Sequence, residues 1–430
     1  MTSTQPLASL RKSSLPGPND IIRRELENGI TILIRPNFNT LSVTVSGYLM
    51  AGSLYEPLPK MGLANFVSST LMRGTKDHSF QKIYNRLESI GASLSFSGGT
   101  HTAGFSGKSL GADLDLLIET IGETLRRPTF PGDHVERVRS QLLTSLDLRA
   151  QNTSEMASLA FDEIVYKGHP YQYPEDGTPE TASTITCEDL ISFHRDHYGP
   201  REMVIAVAGA VEPEKALETI SDRLGDWHNP DQPAVQTVPP APTLEKTERR
   251  HYTIPDKSQT DIVLGVAGPS RLSPDFYAAK IGNSVLGQFG MMGWIGEAVR
   301  NKAGLAYYAY SSVSSSMGPG PWTVSAGVDP DHTEQAIQLI RQEIERFLDQ
   351  PVPEEEFADS QSSYIGKLPL ALESNAGVAG SLLNIERYQL GLDYFHRYEE
   401  MIREVTPQDA FRVANAYLDL QRLGIATAGP

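Results

Sequence analysis

Two histidines three residues apart, His194 and His197 in FHRDHYGP, have the spacing of a helical metal pair, because positions i and i+3 share a face. No cysteine or carboxylate pattern completes such a site, and the matching helix near the C-terminus, FRVANAYLD, has no histidine. A surface or capping role is the expectation. His101 and His169 stand alone and are read the same way. Cys187 is the only cysteine, which excludes an internal disulfide and any multi-cysteine metal site. Beside Glu188 and Asp189 it lacks the electropositive surroundings of a reactive thiolate, so a structural role is expected. The glycine-rich LGQFGMMGWIGEA has neither the lysine nor the following hydroxyl that a phosphate loop needs. It reads as a helix entry, with Met291, Met292 and Trp294 expected in the core.

The chain that must position these groups has 430 residues, too many for one compact core and enough for two domains. Its 37 basic and 53 acidic residues leave a net charge of −16, which argues against gripping nucleic acid or anionic lipid. Hydrophobic residues make up 39%, and 36 glycines bring the total near the ordinary globular range, which argues against disorder. No apolar run approaches the length needed to span a bilayer. The opening MTSTQPLASLRKSSLPGPNDI lacks a continuous apolar core, so residues 1–20 read as a flexible arm and not a secretory signal. A soluble, cytoplasmic protein is the expectation.

Ordered patterns begin near Ile21. Asn28-Gly29, between RREL and ITILIRP, is a strong hairpin signal, and LSVTVSGYLMAG follows as a strand. From Met61 the apolar spacing turns helical; a second helix over Phe80–Ile90 is stopped by Gly91, and ASLSFS alternates as a strand. Asp113 is placed to cap DLDLLIETIGETLRR, which ends at Pro128. The stretch from His228 to Glu248 carries Pro230, Pro233, Pro239, Pro240 and Pro242, so 229–248 reads as a stiff linker. It joins two halves that look alike, 21–228 and 249–430. ITCEDLISFHRDHYGPREMVIAVAG closes the first and VTPQDAFRVANAYLDLQRLGIATAG the second, with Thr186/Thr406, Asp189/Asp409 and Gly209/Gly429 at one constant offset. Pro131 of FPGDHV and Pro353 of VPEEEF repeat in step. The predicted architecture is α+β: two similar domains from an internal duplication, each a mainly antiparallel sheet packed against helices.

AGSLYEPLPKMGLANFVSSTLMRGT, GHPY around His169, VRNKAGLAY around Arg300, LESNAG around Glu373 and the two closing segments together resemble the pitrilysin-like, inverted-zincin metallopeptidase family, from about Ile21 to Pro430. Active members of that family carry H-x-x-E-H on the helix that here reads GLANFVSSTLMRGT. Two histidines on one face bind zinc while the glutamate activates its water. Here those positions hold Asn65, Ser68 and Ser69, and the third ligand, a glutamate on a later helix, aligns with Ser145, or with Thr144 if the register slips by one. The resemblance therefore implies a chain that binds no metal, with an ordinary small-polar helix surface where zinc would sit.

The second half looks different. In the family, an arginine and a tyrosine seven residues apart complete the active site from across a closed chamber, and Arg300 and Tyr307 have that spacing. A helix should end near Lys302, Gly304 should make the turn, and LAYYAYSSV should continue as a strand. Arginine offers a fork of donors to carbonyls or carboxylates, and a tyrosine hydroxyl can donate to a developing oxyanion. Tyr308 and Tyr310 should face away from Tyr307. The implied function is the non-catalytic subunit of a heterodimeric zinc endopeptidase, closing the peptide chamber over an H-x-x-E-H partner that holds the zinc. Neither nucleic acid nor membrane is an expected partner. The alternative is a scaffold or peptide-binding protein of the same fold with no part in proteolysis.

Overall fold

The computed structural model describes residues 15–290, 293–314 and 316–430. Most of the N-terminal arm and the Met291-Met292 pair, expected in the core, lie outside them. Packing starts before Ile21: Leu15 is buried, and its carbonyl accepts from His396 Nε2 at 3.2 Å.

The first half contains β1 (Ile22–Glu25), β2 (Thr31–Pro36), β3 (Ser42–Leu49), β4 (Ser93–Gly98), β5 (Ala103–Leu110) and β6 (Val204–Gly209). Its helices are α1 (Leu63–Thr70), α2 (Phe80–Glu88), α3 (Leu114–Arg126), α4 (Gly132–Ala150), α5 (Thr153–Val165), α6 (Pro179–Thr184), α7 (Cys187–His197) and α8 (Pro213–Leu224). The second half contains β7 (Glu248–Thr253), β8 (Thr260–Ala267), β9 (Ala306–Val313), β10 (Pro321–Val328) and β11 (Gly424–Gly429). Its helices are α9 (Phe276–Gly287), the single turn α10 (Gly293–Ile295), α11 (Thr333–Asp349), α12 (Glu354–Ala371), α13 (Asn375–Arg387), α14 (Tyr394–Glu404) and α15 (Pro407–Tyr417).

The sheets run β1-β2-β6-β3-β5-β4 and β7-β11-β8-β10-β9. Setting β1 aside, the two orders superpose strand for strand. Each has one parallel pair, β2 with β6 and β7 with β11, and antiparallel pairing elsewhere. The duplication reaches the caps: Thr186 with Asp189 and Thr406 with Asp409 form reciprocal capping boxes at α7 and α15. The α+β, duplicated architecture expected from the sequence is the one observed. Asp113 does stand before α3, but its side chain makes no capping bond, because the preceding 3₁₀ turn of Gly111–Asp113 leads straight into the helix.

Each half lends a helix to the other. α5 packs on β7, β8 and β11, and α13 packs on β3 and β6. Strands buried on both faces read as apolar or small throughout, as in VIAVAG and GIATAG, where alternation disappears. The small residues have a steric reason. A Cβ at Gly424 would lie 2.5 Å from Val165 Cγ2, so only glycine lets α5 come this close. On the other side, Asn375 Nδ2 donates to the Ser42 carbonyl at 3.0 Å, and Asn37 Nδ2 donates to Asn375 Oδ1 at 2.9 Å. The linker is strapped down as well. The Pro239 carbonyl accepts from His169 Nε2 at 3.0 Å, and Gln236 N donates to Tyr55 OH at 3.3 Å.

Candidate functional site

α1 starts from Gly62, whose φ of +93° lies in the left-handed region, where glycine is unstrained. A Cβ there would meet the Asp176 carbonyl at 2.6 Å, and one at Gly177 would meet the Met61 carbonyl at 2.2 Å. The two glycines therefore let the 176–177 loop press against the helix entry. Glu56 closes that entry, accepting from Gly62 N and Ala64 N at 2.9 Å each. Burial pushes its carboxyl up to about 7, against the pull of the backbone donors.

From this geometry Asn65 Nδ2 donates to Asp176, and Ser69 Oγ donates to Asn65 Oδ1 at 3.3 Å. Arg149 on α4 holds the same loop, donating to the Gly177 carbonyl at 2.7 Å with its guanidinium 3.8 Å from the Asp176 carboxylate. Ser68 does not share this face. It is 2% exposed, donates to the Ala64 carbonyl at 3.1 Å, and lies 3.1 Å from Tyr198 OH. The expectation of one small-polar surface holds for Asn65 and Ser69 and fails for Ser68, because the apolar stripe of this short helix turns that position inward. Ser145 and Thr144 are exposed on α4, where Thr144 Oγ1 donates to the Ser140 carbonyl at 2.9 Å. An amide and hydroxyls, engaged in this way, do not fit zinc, which takes imidazole, thiolate or carboxylate. Among the described residues no three His, Cys, Asp or Glu side chains group to hold a metal ion. Asp176 and Arg149 were missed from sequence; the acidic Glu175-Asp176 pair before a glycine was the available signal.

Of the surface or capping role expected for His194 and His197, capping is what His194 does, at the last turn of α3, and both rings are half-buried. His194 Nε2 donates to the Leu125 carbonyl at 2.8 Å, while His197 stacks on Phe193, its ring centroid 4.5 Å away. Burial pushes the His194 imidazole down to about 4, outweighing the opposing pull of that hydrogen bond. The folded value thus lies below the unfolded one of about 6.5. Neutral His194 contributes stability that is complete above the unfolded value and is lost as pH falls toward the folded one. The stability difference between wild type and His194→Gln should therefore shrink across that window in denaturant titrations at stepped pH. A difference that stays constant with pH would remove this role. His101 joins the halves: its Nε2 lies 2.7 Å from Tyr171 OH and 3.3 Å from Ser316 Oγ. Cys187 is half-buried as the first residue of α7.

In the second half, Gly296–Lys302 is a turn of π-helix, continued by Ala303 N donating to the Ala298 carbonyl at 3.1 Å. Wide turns of this kind recur at functional sites. Val299 and Ile295 are fully buried and fix the turn, leaving Arg300 half-buried. Trp294 is a core residue, as expected, and donates Nε1 to Glu356 at 2.6 Å. Gly304 reverses the chain at φ +67°, and β9 begins two residues later.

Tyr307 owes its position to a β-bulge. In the β9–β10 ladder Tyr308 pairs with Gly327 and Ala306 with Val328, leaving Tyr307 as the extra residue. Its phase along β9 is that of the buried Ala309 and Ser311, yet the bulge frees it and it is 82% exposed. Among the described residues neither Tyr307 nor Arg300 has a hydrogen-bond or ion-pair partner. Tyr308 is committed: its hydroxyl donates to the buried Asp261, which also accepts from Thr153 of α5 and from Gln259 Nε2. Tyr310 packs against Tyr308, with ring centroids 5.8 Å apart.

Comparison with known proteins agrees with this architecture. Residues 31–177 match the description "Insulinase (Peptidase family M16)" and residues 184–364 match "Peptidase M16 inactive domain". A Mycobacterium leprae protein described as an uncharacterized zinc protease is 25% identical over 421 residues, 95% of this chain and 92% of that one. The mitochondrial-processing peptidase subunit beta of Saccharomyces cerevisiae is 27% identical over 356 residues, 80% of this chain and 75% of that one. The crystal structure of a peptidase M16 inactive domain from Pseudomonas fluorescens superposes with a TM-score of 0.86 at 25% identity, covering 96% of this chain and 98% of that one. A protease from Helicobacter pylori shares the fold, with a TM-score of 0.89 at 21% identity, over 97% of this chain and 100% of that one. With both of its halves matched, the chain belongs to the pitrilysin-like M16 family of metallopeptidases.

Proposed function

We propose that this chain is the zinc-less subunit of a two-subunit M16 endopeptidase and supplies Arg300 and Tyr307 to a peptide bound against a partner that carries H-x-x-E-H. The observation that carries the reading is a contrast in how side chains are committed. Asn65, Ser68 and Ser69, three of the positions a zinc site would use, are tied into Asp176, Tyr198 and local groups, whereas among the described residues Arg300 and the bulged Tyr307 have no side-chain hydrogen-bond or ion-pair partner. In this reading the metal chemistry is the partner's. Arg300 holds a peptide carbonyl or carboxylate, and the Tyr307 hydroxyl donates to the scissile carbonyl oxygen as negative charge develops there. β4, an edge strand beside α1, can take an extended peptide by main-chain pairing with little sequence demand. Gly98 at its end lies so near Asn65 that a Cβ would come within 2.6 Å of the Asn65 Cα. The yeast relative is by its name one subunit of a processing peptidase, which supports a two-chain assembly.

Gentle affinity capture of the tagged chain from its own cells tests the proposal. A stoichiometric partner of similar length bearing H-x-x-E-H is expected, with metal-dependent peptide cleavage by the pair and none by either chain alone. Recovery of the chain alone, or with unrelated proteins, would remove the shared active site and leave the scaffold or peptide-binding role.

A further inference from the structure

A cavity of about 560 Å³ opens in the second half between α9, α12, α13 and α14. The described residues lining it include four basic side chains, Arg271, Lys280, Lys367 and Arg387, and no Asp or Glu. In a chain of net charge −16, this is a local reversal of sign. Among the described residues none of the four forms an ion pair. Arg271 is buried and, among the described residues, meets no carboxylate; its Nη2 donates to Tyr277 OH at 2.7 Å and to Tyr394 OH at 3.4 Å. Arg387 lies over the Tyr48 ring at 4.2 Å and donates Nη2 to Thr102 Oγ1 at 3.3 Å, while its buried Nε has no hydrogen-bond partner among the described residues. The Lys280 ammonium rests over Phe276 at 5.3 Å and Tyr364 at 5.9 Å, without an ion pair among the described residues. Burial first, and then repulsion from Arg271 and Lys367, pushes its pKa down.

The cleft also has a defined place in the duplicated fold. Lys367 stands as far past Pro353 in α12 as Ser145 stands past Pro131 in α4. It is therefore the second half's counterpart of the α1–α4 face. We propose that this cleft is an oxyanion-binding site that takes the carboxylate of an acidic peptide or the phosphate of a small polyanion. Guanidinium forks and tyrosine hydroxyls are donors suited to oxyanions, and gathered cations without counter-charge are relieved by one. The assignment concerns this chain by itself and needs no partner subunit.

Titration calorimetry on the full chain at low salt tests it, using an acetylated tetraglutamate peptide, its tetraglutamine counterpart and inorganic tripolyphosphate. Saturable binding of an anionic probe is expected, with none for tetraglutamine and weakening as salt is added. Lys280→Met with Lys367→Met should reduce affinity about tenfold or more, the loss of two charge-assisted contacts, while Lys215→Met on the exposed face of α8 changes nothing. Lys367→Met alone, at an exposed position, should act in the same direction if the double variant does not fold. Tighter binding of tetraglutamate identifies a peptide carboxylate as the ligand, and tighter binding of tripolyphosphate identifies a free phosphate. If neither anion saturates, or if the lysine variants bind as wild type does, the site is refuted.

Discussion

If the chain works in the proposed two-subunit enzyme, a Tyr307→Phe chain assembled with the H-x-x-E-H subunit should turn over peptide about a hundredfold more slowly than wild type, the usual loss when one oxyanion donor is removed. The loss should fall on kcat with KM little changed, because a donor to developing charge acts in the transition state and not on the resting carbonyl. Assembly should be unaffected, since the hydroxyl of this 82% exposed side chain holds nothing among the described residues. Tyr308→Phe is the contrasting control. It removes a donor to the buried Asp261 and should lower stability while leaving turnover of the surviving protein near wild type. Arg300→Ala should raise KM as well as lower kcat, because a guanidinium holding a carbonyl or carboxylate binds the ground state too. Steady-state kinetics on reconstituted pairs, with chromatography to verify assembly, decide the matter. Wild-type kcat in Tyr307→Phe would end the oxyanion role.

The second large effect lies in the exchanged helices. Phe161 is 1% exposed on α5 and packs with Val263, Ala426 and Ala428 of the second half. Phe161→Ala should cost about 3–5 kcal/mol, the range for truncating a buried aromatic. The cost should appear in the half to which Phe161 does not belong. Amide exchange along β11 should accelerate, and Leu382→Ala on α13 should do the same to β3 and β6 in the first half. Both variants should still unfold in one transition. Two separated transitions, with only the variant's own half weakened, would show that the exchange does not couple the halves.

Some of this organisation could be read directly from residue order. The Thr-x-x-Asp starts at Thr186 and Thr406 and the Pro131/Pro353 pair carry the duplication, because capping depends on neighbours three residues apart. Gly304 and Lys302 delimit the turn before β9 for a similarly local reason. Features set by distant pairing were not legible. The bulge at Tyr307 comes from the register of β9 on β10, which no property of LAYYAYSSV dictates. The bond from Asn65 to Asp176 spans 111 positions. Helical periodicity in α5 and α13 announces an apolar face but not which sheet covers it. The inward turn of Ser68 was missed because α1 spans only eight residues, so the edge of its buried stripe is poorly defined by pattern.

The exchange of α5 and α13 also governs how the chain can emerge from a ribosome. β3 and β6 are complete once Gly209 has been made, but α13, which covers them, is not finished until Arg387. Through that interval the nascent first half carries an uncovered apolar sheet face, and α5 waits with its own apolar side exposed for β8 and then β11. Closure must bring together segments far apart in sequence, which slows folding and lengthens exposure to aggregation. The protein should therefore mature as a single late event after synthesis, and a chain released before residue 387 should not persist.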